Sequence, residues 1–220
     1  MDFSIDTLPP GSALLSAVAM LAALLFESRR VAWRSLIAGP VLGRLLGASV
    51  LLMLAWSLKA NLAPGFRLHL LGVTVLVLWF GRARAVFAIA IGSLASVLGT
   101  GGDLASWPFN FVLLGVMPAW ISDLCDRALR ERLPNHIFVF IFGNACAVSA
   151  ACMLSVGLVA TGFQALGGAD LAGLLEGYLP YFLLLGFAEA WLSGMAATLL
   201  VVFFPGWVSS FDDRRYLTNK

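Results

Sequence analysis

Charged side chains are scarce in this sequence. Only 12% of the 220 residues are Asp, Glu, Lys or Arg, whereas 60% are hydrophobic. The formal net charge of +2 provides neither the basic excess of a nucleic-acid-binding protein nor the acidic excess of a disordered chain. The composition therefore excludes an ordinary water-soluble domain and a nucleic-acid partner, and it indicates an integral membrane protein whose solvent is the lipid bilayer.

Residues that carry common chemistry are also rare. The only lysines, Lys59 and Lys220, lie outside any glycine-rich loop, so the sequence contains no phosphate-binding loop and no self-contained ATPase. The three cysteines, Cys125, Cys146 and Cys152, form no CxxC pair and no zinc-like cluster with histidine. We expect them to be small core residues rather than disulfide partners or metal ligands.

Long apolar runs are what the sequence has in abundance. A helix needs about 20 apolar residues to cross a hydrocarbon layer of about 30 Å. Seven runs approach this length: 8–26, 36–58, 68–81, 84–101, 107–123, 135–163 and 174–204. The third run is short, and Gly177 with Pro180 is expected to break the last one near its start. We predict an all-α, polytopic membrane helical bundle of about seven transmembrane helices, forming one domain over residues 1–220.

The distribution of basic residues predicts the orientation of this bundle. Nearly all of the 14 Lys and Arg residues fall in the first, third and fifth connections or in the C-terminal tail, whereas Lys59 and Arg67 lie on the other side. Because cytoplasmic loops are enriched in Lys and Arg, the N-terminus is predicted to face outward and the C-terminus to lie in the cytoplasm. No basic residue precedes the first run, so we expect that run to be retained rather than cleaved as a signal peptide.

The predicted outward face offers a candidate metal site at His69, which opens the third run. A neutral imidazole is a common transition-metal ligand, and an α-amino group with its neighbouring backbone nitrogen can complete a nitrogen-rich site that suits Ni(II) or Cu(II). Acidic residues predicted on this side would attract cations: Asp2, Asp6, Asp103, Asp170 and Glu176. An interfacial, hydrogen-bonded role for His69 is the alternative, and the sequence leaves it open.

Two of the polar residues inside predicted spans stand out. Glu189 is the more unusual, because an ionisable group in a bilayer marks a pathway, a proton relay or a paired structural ion. It shares one helix face with Ser193 and Ala197. A structural role, in which Glu189 bonds a neighbouring helix or pairs with Arg44, is equally compatible with the pattern. Asn110 raises the same question in the fifth span.

The order of several short motifs resembles a known family. The motifs are Pro64-Gly65-x-x-x-His69-x-x-Gly72, Phe80-Gly81, Gly99-Thr100-Gly101-Gly102-Asp103 leading to Asn110, and Glu189-x-x-x-x-Gly194. Over residues 59–205 the chain resembles the cobalt/nickel permeases, or CbiM-like proteins, of energy-coupling-factor ABC transporters. The tail, with Phe203-Phe204-Pro205-Gly206-Trp207, resembles that of a divergent bacterial subgroup.

The resemblance implies a ligand set. In this family the metal is held by the N-terminal amine, by a histidine directly after the initiator methionine, and by the histidine of the Pro-Gly loop. These positions correspond to Met1, Asp2 and His69, so a carboxylate that can supply one oxygen replaces the second ligand. Arg67 stands where family members usually have a small hydroxyl residue. No bound cofactor is implied, and Ni(II) or Co(II) would be the substrate.

The resemblance therefore favours a permease or substrate-binding subunit of an energy-coupling-factor-type importer in a bacterial inner membrane. Its implied partners are a second transmembrane subunit and cytoplasmic ATPase subunits. The alternative is a scaffold or assembly protein that retains the bundle but not the metal site, which Asp2 and Arg67 favour. We do not expect an enzyme, because a serine hydrolase built on Ser193 would need glycine where Trp191 stands.

Overall fold

The computed structural model describes residues 3, 9, 11–63, 66–212 and 216, and all of their side chains except those of residues 61–67. Its α-helices are α1 (Ser12–Ser28), α2 (Trp33–Ala38), α3 (Val41–Ser57), α4 (Val73–Phe80), α5 (Arg82–Gly99), α6 (Trp107–Phe111), α7 (Met117–Arg132), α8 (Val148–Leu166), α9 (Leu171–Gly177) and α10 (Leu179–Phe203). π-Helical turns at Val112–Val116 and Val139–Ala147 join α6 to α7 and lead into α8. A short 3₁₀-helix, Pro205–Trp207, follows α10.

The helices form a membrane-type bundle. In the described part of the chain, four helical stretches are long and apolar enough to cross a bilayer: Arg82–Gly99, Trp107–Arg132, Val139–Leu166 and Leu171–Phe203. The helices α1 and α3 are apolar but shorter. The predicted class of helical membrane bundle is therefore confirmed. A small antiparallel hairpin, β1 (Ala60–Ala63) and β2 (Phe66–Leu68), is the exception within the described residues.

The predicted helix over 68–81 is wrong in its first third. Ala60 pairs with Leu68 in the hairpin, residues 69–72 are irregular, and α4 begins only at Val73. Glycines with left-handed backbone bound the eight-residue helix, Gly72 at φ 65° and Gly81 at φ 79°. Hydropathy did not detect this boundary, because Leu70 and Leu71 join the apolar run of the helix. Arg82, predicted to lie in a connection, is the first residue of α5.

The predicted break in the last span is confirmed. The helix α9 ends at Gly177 and α10 begins at Leu179, with Pro180 in its first turn. Proline is tolerated there because the backbone N–H groups of a first helical turn have no partner within the helix. The carboxylate of Asp170 caps α9 by accepting a hydrogen bond from the backbone N–H of Gly173 at 2.8 Å.

Small residues allow α8 and α10 to pack closely. A side chain at Gly157 would overlap the ring of Phe182, and one at Gly186 would lie 3.5 Å from the carbonyl of Ala150. Such contacts matter in lipid, where helices gain little from the hydrophobic effect when they associate. All three cysteines are free thiols; Cys152 is buried in the core, whereas Cys125 and Cys146 are half-buried.

The two ends of the bundle differ in chemistry. At one end, the guanidinium of Arg82 contacts Glu27 at 2.8 Å and Asp123 at 2.7 Å, and Asp123 also pairs with Arg127 at 2.5 Å. These ion pairs join the C-terminal end of α1, the start of α5 and the middle of α7. The opposite end carries the hairpin, the segment 69–72 and the connection between α5 and α6. We call the end with the Arg82 ion pairs the arginine end and the end with the hairpin the histidine end.

Candidate functional site

The His69 side chain is buried at the histidine end, with 3% of its surface exposed. Its ring lies against the indole of Trp56 in the last turn of α3, with centroids 4.9 Å apart. The same indole donates its N–H to the carbonyl oxygen of Leu71 at 3.0 Å. Trp56 therefore packs against the imidazole and also forms a hydrogen bond with the backbone two residues after it.

A carboxylate from α10 holds this segment from the other side. The Oε2 atom of Glu189 accepts the backbone N–H of Leu71 at 2.8 Å, and Oε1 accepts that of Gly72 at 2.6 Å. These N–H groups lie at the N-terminus of α4, where the partial positive charge of a helix favours an anion. Glu189 is 2% exposed, and the two hydrogen bonds account for a carboxyl group at this depth.

Arg44, which the sequence allowed as one structural partner of Glu189, makes its contacts elsewhere. The guanidinium of Arg44 lies 4.7 Å from the ring centroid of Trp207, and its Nε donates to the carbonyl of Pro40. The partners of Glu189 belong to the irregular segment rather than to a neighbouring helix. Glu189, Ser193 and Ala197 are all buried on α10, as their spacing predicted.

The local hydrogen bond of His69 indicates the tautomer of its ring. Nδ1 lies 2.9 Å from the carbonyl oxygen of Leu70. A carbonyl oxygen can only accept, so Nδ1 carries the proton, and a neutral imidazole of this form has its lone pair on Nε2. Metal-binding histidines commonly donate one ring N–H in this way while the other nitrogen binds the metal.

Asn110, the second polar residue that stood out inside a predicted span, forms hydrogen bonds with the backbone of Phe3 near the start of the chain. The backbone N–H of Phe3 donates to Oδ1 of Asn110 at 2.9 Å, and Nδ2 of Asn110 donates to the carbonyl of Phe3 at 3.0 Å. The ring of Phe3 packs edge-on against Phe109, with centroids 5.6 Å apart. Phe3 is 7% and Asn110 8% exposed, so both belong to the interior.

A chain of contacts places Phe3 and His69 at the same end of the bundle. Ser57, next to Trp56 on α3, lies 3.4 Å from Ser96 near the end of α5. One turn earlier on α5, Ser93 accepts the indole N–H of Trp107, at the start of the helix that carries Asn110. The segment held by Asn110 and the segment held by Glu189 therefore share the histidine end.

The connection between α5 and α6 adds a carboxylate to this end. Asp103 accepts hydrogen bonds from the backbone N–H of Ala105 and from the hydroxyl of Ser106. These bonds, chiefly the one from Ser106, hold the pKa of the Asp103 carboxyl below its ordinary value. The group therefore stays anionic at neutral pH and contributes to the negative potential predicted for the outward face.

Of the predicted ligands, His69 lies at the histidine end, whereas Met1 and Asp2 fall outside the described residues. Among the residues that are described, no three His, Cys, Asp or Glu side chains form a group that could hold a metal ion. Sequence reasoning missed Trp56 and Phe3 as parts of the site. The signal available for Trp56 was its position at the end of a predicted span. For Phe3 it was an apolar side chain among polar residues near the N-terminus.

A groove of about 490 Å³ flanks the segment 69–72 between α3, α4 and α10. Its walls are apolar, and the polar side chains that reach it are Glu189 and Ser193. An apolar groove of this kind suits hydrocarbon and gives a hydrated ion no compensation for lost water.

The sequence of this chain matches the model of the CbiM family, described as the cobalt uptake substrate-specific transmembrane region, over residues 5–207. The chain belongs to this family. The resemblance derived from the motifs is confirmed, and the CbiM match extends it back through α1 to residue 5. The protein is thus a multi-pass membrane component of a metal-uptake family.

Two solved structures share the CbiM-type fold. One is described as a truncated transition metal transporter and covers 92% of this chain and 99% of its own, with a TM-score of 0.78 and 15% identity. The other, described as a transition metal transporter, has the same TM-score and identity and covers 91% of this chain and 92% of its own. No curated protein matches the chain significantly. The family and both structural neighbours are described by transport rather than by catalysis.

Proposed function

We propose that this chain is the membrane permease or substrate-binding subunit of an energy-coupling-factor-type ABC importer, with Ni(II) or Co(II) as its substrate. The observation that carries the proposal is the buried imidazole of His69, which Trp56 contacts and whose following chain is fixed by Glu189. Ordered support of this kind is what a metal ligand needs, because ring orientation sets the direction of the lone pair.

The proposed ligands besides His69 are the α-amino nitrogen of Met1 and the backbone nitrogen of Asp2, with the Asp2 carboxylate as an oxygen donor. Nitrogen-rich sites suit Ni(II) and related ions. Replacing a family imidazole by a carboxylate makes the site harder in the chemical sense and less selective among divalent ions.

In the proposed importer, seven spans place the histidine end outside and the arginine end in the cytoplasm of a bacterial inner membrane. The sequence contains no phosphate-binding loop. Energy for release to the inside would therefore come from partners, namely cytoplasmic ATPase subunits coupled through a second transmembrane subunit.

Metal titration of the purified protein tests the proposed role of His69. We expect wild-type protein to bind Ni(II) or Co(II), and His69→Ala to weaken binding at least tenfold, about 1.4 kcal/mol. The matched control is His136→Ala, because the sequence has only two histidines and His136 lies between α7 and α8 at the arginine end. Identical isotherms for His69→Ala and wild type would reject the ligand role.

The second candidate function, a non-transporting scaffold or assembly protein, is favoured by Asp2 and Arg67. Affinity purification from native membranes distinguishes the two. The importer requires ATPase subunits in the eluate together with metal binding. A scaffold that has lost the site would bind neither ion, whatever proteins accompany it.

A further inference from the structure

We propose that Asn110 is a positioning residue for the metal site, because it holds the main chain of Phe3 and so fixes how far the N-terminal nitrogen ligands can reach. This inference rests on the proposed function for its metal readout, but the contact that carries it does not depend on any metal. Asn110 itself contacts Phe3 and is not assigned as a ligand.

The geometry of the contact uses both halves of the carboxamide. Oδ1 receives the N–H of Phe3, and Nδ2 donates to the carbonyl of the same residue, at 2.9 and 3.0 Å. An amide side chain presents an acceptor and a donor side by side at every pH, whereas a carboxyl group does so only when it is protonated. Asn110 therefore pairs with Phe3 as a neighbouring strand would, and it satisfies two backbone groups that would be costly to bury without partners.

The contact restricts the start of the chain strongly. Two residues span at most about 7 Å, so anchoring Phe3 keeps the α-amino group within that distance. Without this anchor, the tether would be the chain that precedes α1 at Ser12, whose root-mean-square length is about 18 Å if it is flexible. The volume available to the amine would grow by about tenfold, and its effective concentration at His69 would fall accordingly.

The chemistry around the contact fits a positioning role. The rings of Phe3 and Phe109 pack edge-on, and Phe109 in turn packs edge-on against Phe163 of α8 at 5.1 Å. The anchor is therefore attached to a rigid part of the bundle. Because the contact involves only backbone atoms of Phe3 and the side chain of Asn110, the positioning is independent of which ion is bound.

Chemical labelling of the metal-free protein tests the anchor directly. An amine-acylating reagent near neutral pH reacts at the α-amino group and at the two lysines, and Lys59 serves as the internal reference. We expect Asn110→Ala to accelerate acylation of the α-amino group relative to Lys59 by about tenfold. Asn110→Asp keeps an acceptor for the Phe3 N–H but has no donor for its carbonyl, so an intermediate rate is expected. If Asn110→Ala does not fold, the acylation rate of Asn110→Asp tests the anchor.

Titration with Ni(II) provides the second measurement. Asn110→Ala should weaken binding about tenfold and shift the visible absorption bands of bound Ni(II), because nitrogen donors from the N-terminus are lost while His69 remains. The control is Asn144→Ala, which removes a buried carboxamide bonded to Asp126 at the arginine end and should change neither readout.

The outcomes separate the two proposals. Faster acylation in Asn110→Ala together with no metal binding by wild type would support the anchor and overturn only the proposed cargo. Unchanged acylation would overturn the anchor, even if metal affinity fell, because Asn110 would then act by another route.

Discussion

Glu189 is a carboxylate among apolar helices, and its hydrogen bonds explain both its presence and its role. Each oxygen accepts one backbone N–H, from Leu71 and from Gly72. The carboxyl group therefore supplies the acceptors that these two backbone groups need. In a bilayer an unsatisfied backbone N–H costs several kcal/mol. Glu189 is therefore a support of the His69 segment, which follows from its partners and not from its charge alone.

We expect Glu189→Gln to destabilise the protein. The amide keeps one acceptor but turns an NH₂ group toward a backbone N–H, leaving a buried donor unsatisfied at a cost of about 1–3 kcal/mol. Thermal unfolding in detergent should show a lower Tm, by about 2–4 °C for each kcal/mol. Affinity for Ni(II) should fall as well, since the segment that carries His69 loses a tether.

Glu176→Gln is the matched control for this substitution. Glu176 lies on the exposed surface of α9, where a charge-neutralising change is expected to alter stability by less than about 0.5 kcal/mol. Equal melting temperatures for Glu189→Gln and Glu176→Gln would contradict the supporting role.

Asn110 and Glu189 were identifiable from the sequence only as outliers. A polar residue inside an apolar run is a local signal, and both residues stood out by it. Their partners were not predictable, because Phe3 and Leu71 lie 107 and 118 positions away along the chain. Those partners are backbone groups, which carry no residue-specific signature.

At the scale of elements, α4 is the unusual part of the fold. Its eight residues span roughly 12 Å, far less than the hydrocarbon layer of about 30 Å. At least one helix end is therefore expected at membrane depth, and the backbone groups at a helix end need partners there. Glu189 supplies them at the N-terminal end. At the other end the chain after α10 does so: the backbone N–H groups of Ser209 and Ser210 donate to the carbonyls of Trp79 and Leu78.

The serine hydroxyls at the C-terminal end of α4 give a graded test. Ser210 is buried and donates from Oγ to the carbonyl of Leu78 at 2.8 Å, whereas Ser209 is exposed and its Oγ lies at 3.3 Å from the same oxygen. We expect Ser210→Ala to lower the free energy of unfolding by about 1 kcal/mol and Ser209→Ala by less. The two melting curves measured side by side check the order, and a larger loss in Ser209→Ala would contradict this account of the cap.

The boundaries of α4 show where sequence patterns stop being informative. The run 68–81 is mostly apolar on every side, so its periodicity does not separate irregular chain from helix. Gly72 and Gly81 were visible as possible breaks, yet both glycine and continuous helix are common in membrane spans. What ends the helix is a set of distant partners on α10 and in the tail. The other runs are mostly helical, because the backbone groups of a helix bond to one another. The run 36–58 is nevertheless divided between α2 and α3, where Gly39 and Pro40 separate the two helices.

At the scale of the whole molecule, the two ends carry opposite chemistry. Ion pairs of Arg82, Glu27 and Asp123 lie at the arginine end, and Ser209 and Ser210 place the tail there too. Lys59 lies between α3 and the hairpin, at the histidine end. The positive-inside rule then predicts Lys59 outside and the C-terminal Lys220 in the cytoplasm.

These two lysines allow the orientation to be tested without altering the chain. A membrane-impermeant amine reagent added to right-side-out spheroplasts should modify Lys59 and spare Lys220, and added to inverted vesicles it should do the reverse; peptide mass analysis separates the two sites. Lys59→Arg removes the outer site and controls for assignment. Modification of Lys220 in sealed spheroplasts would place the histidine end in the cytoplasm. His69 would then face the side from which an importer releases its cargo, and the uptake proposal would fail together with the topology.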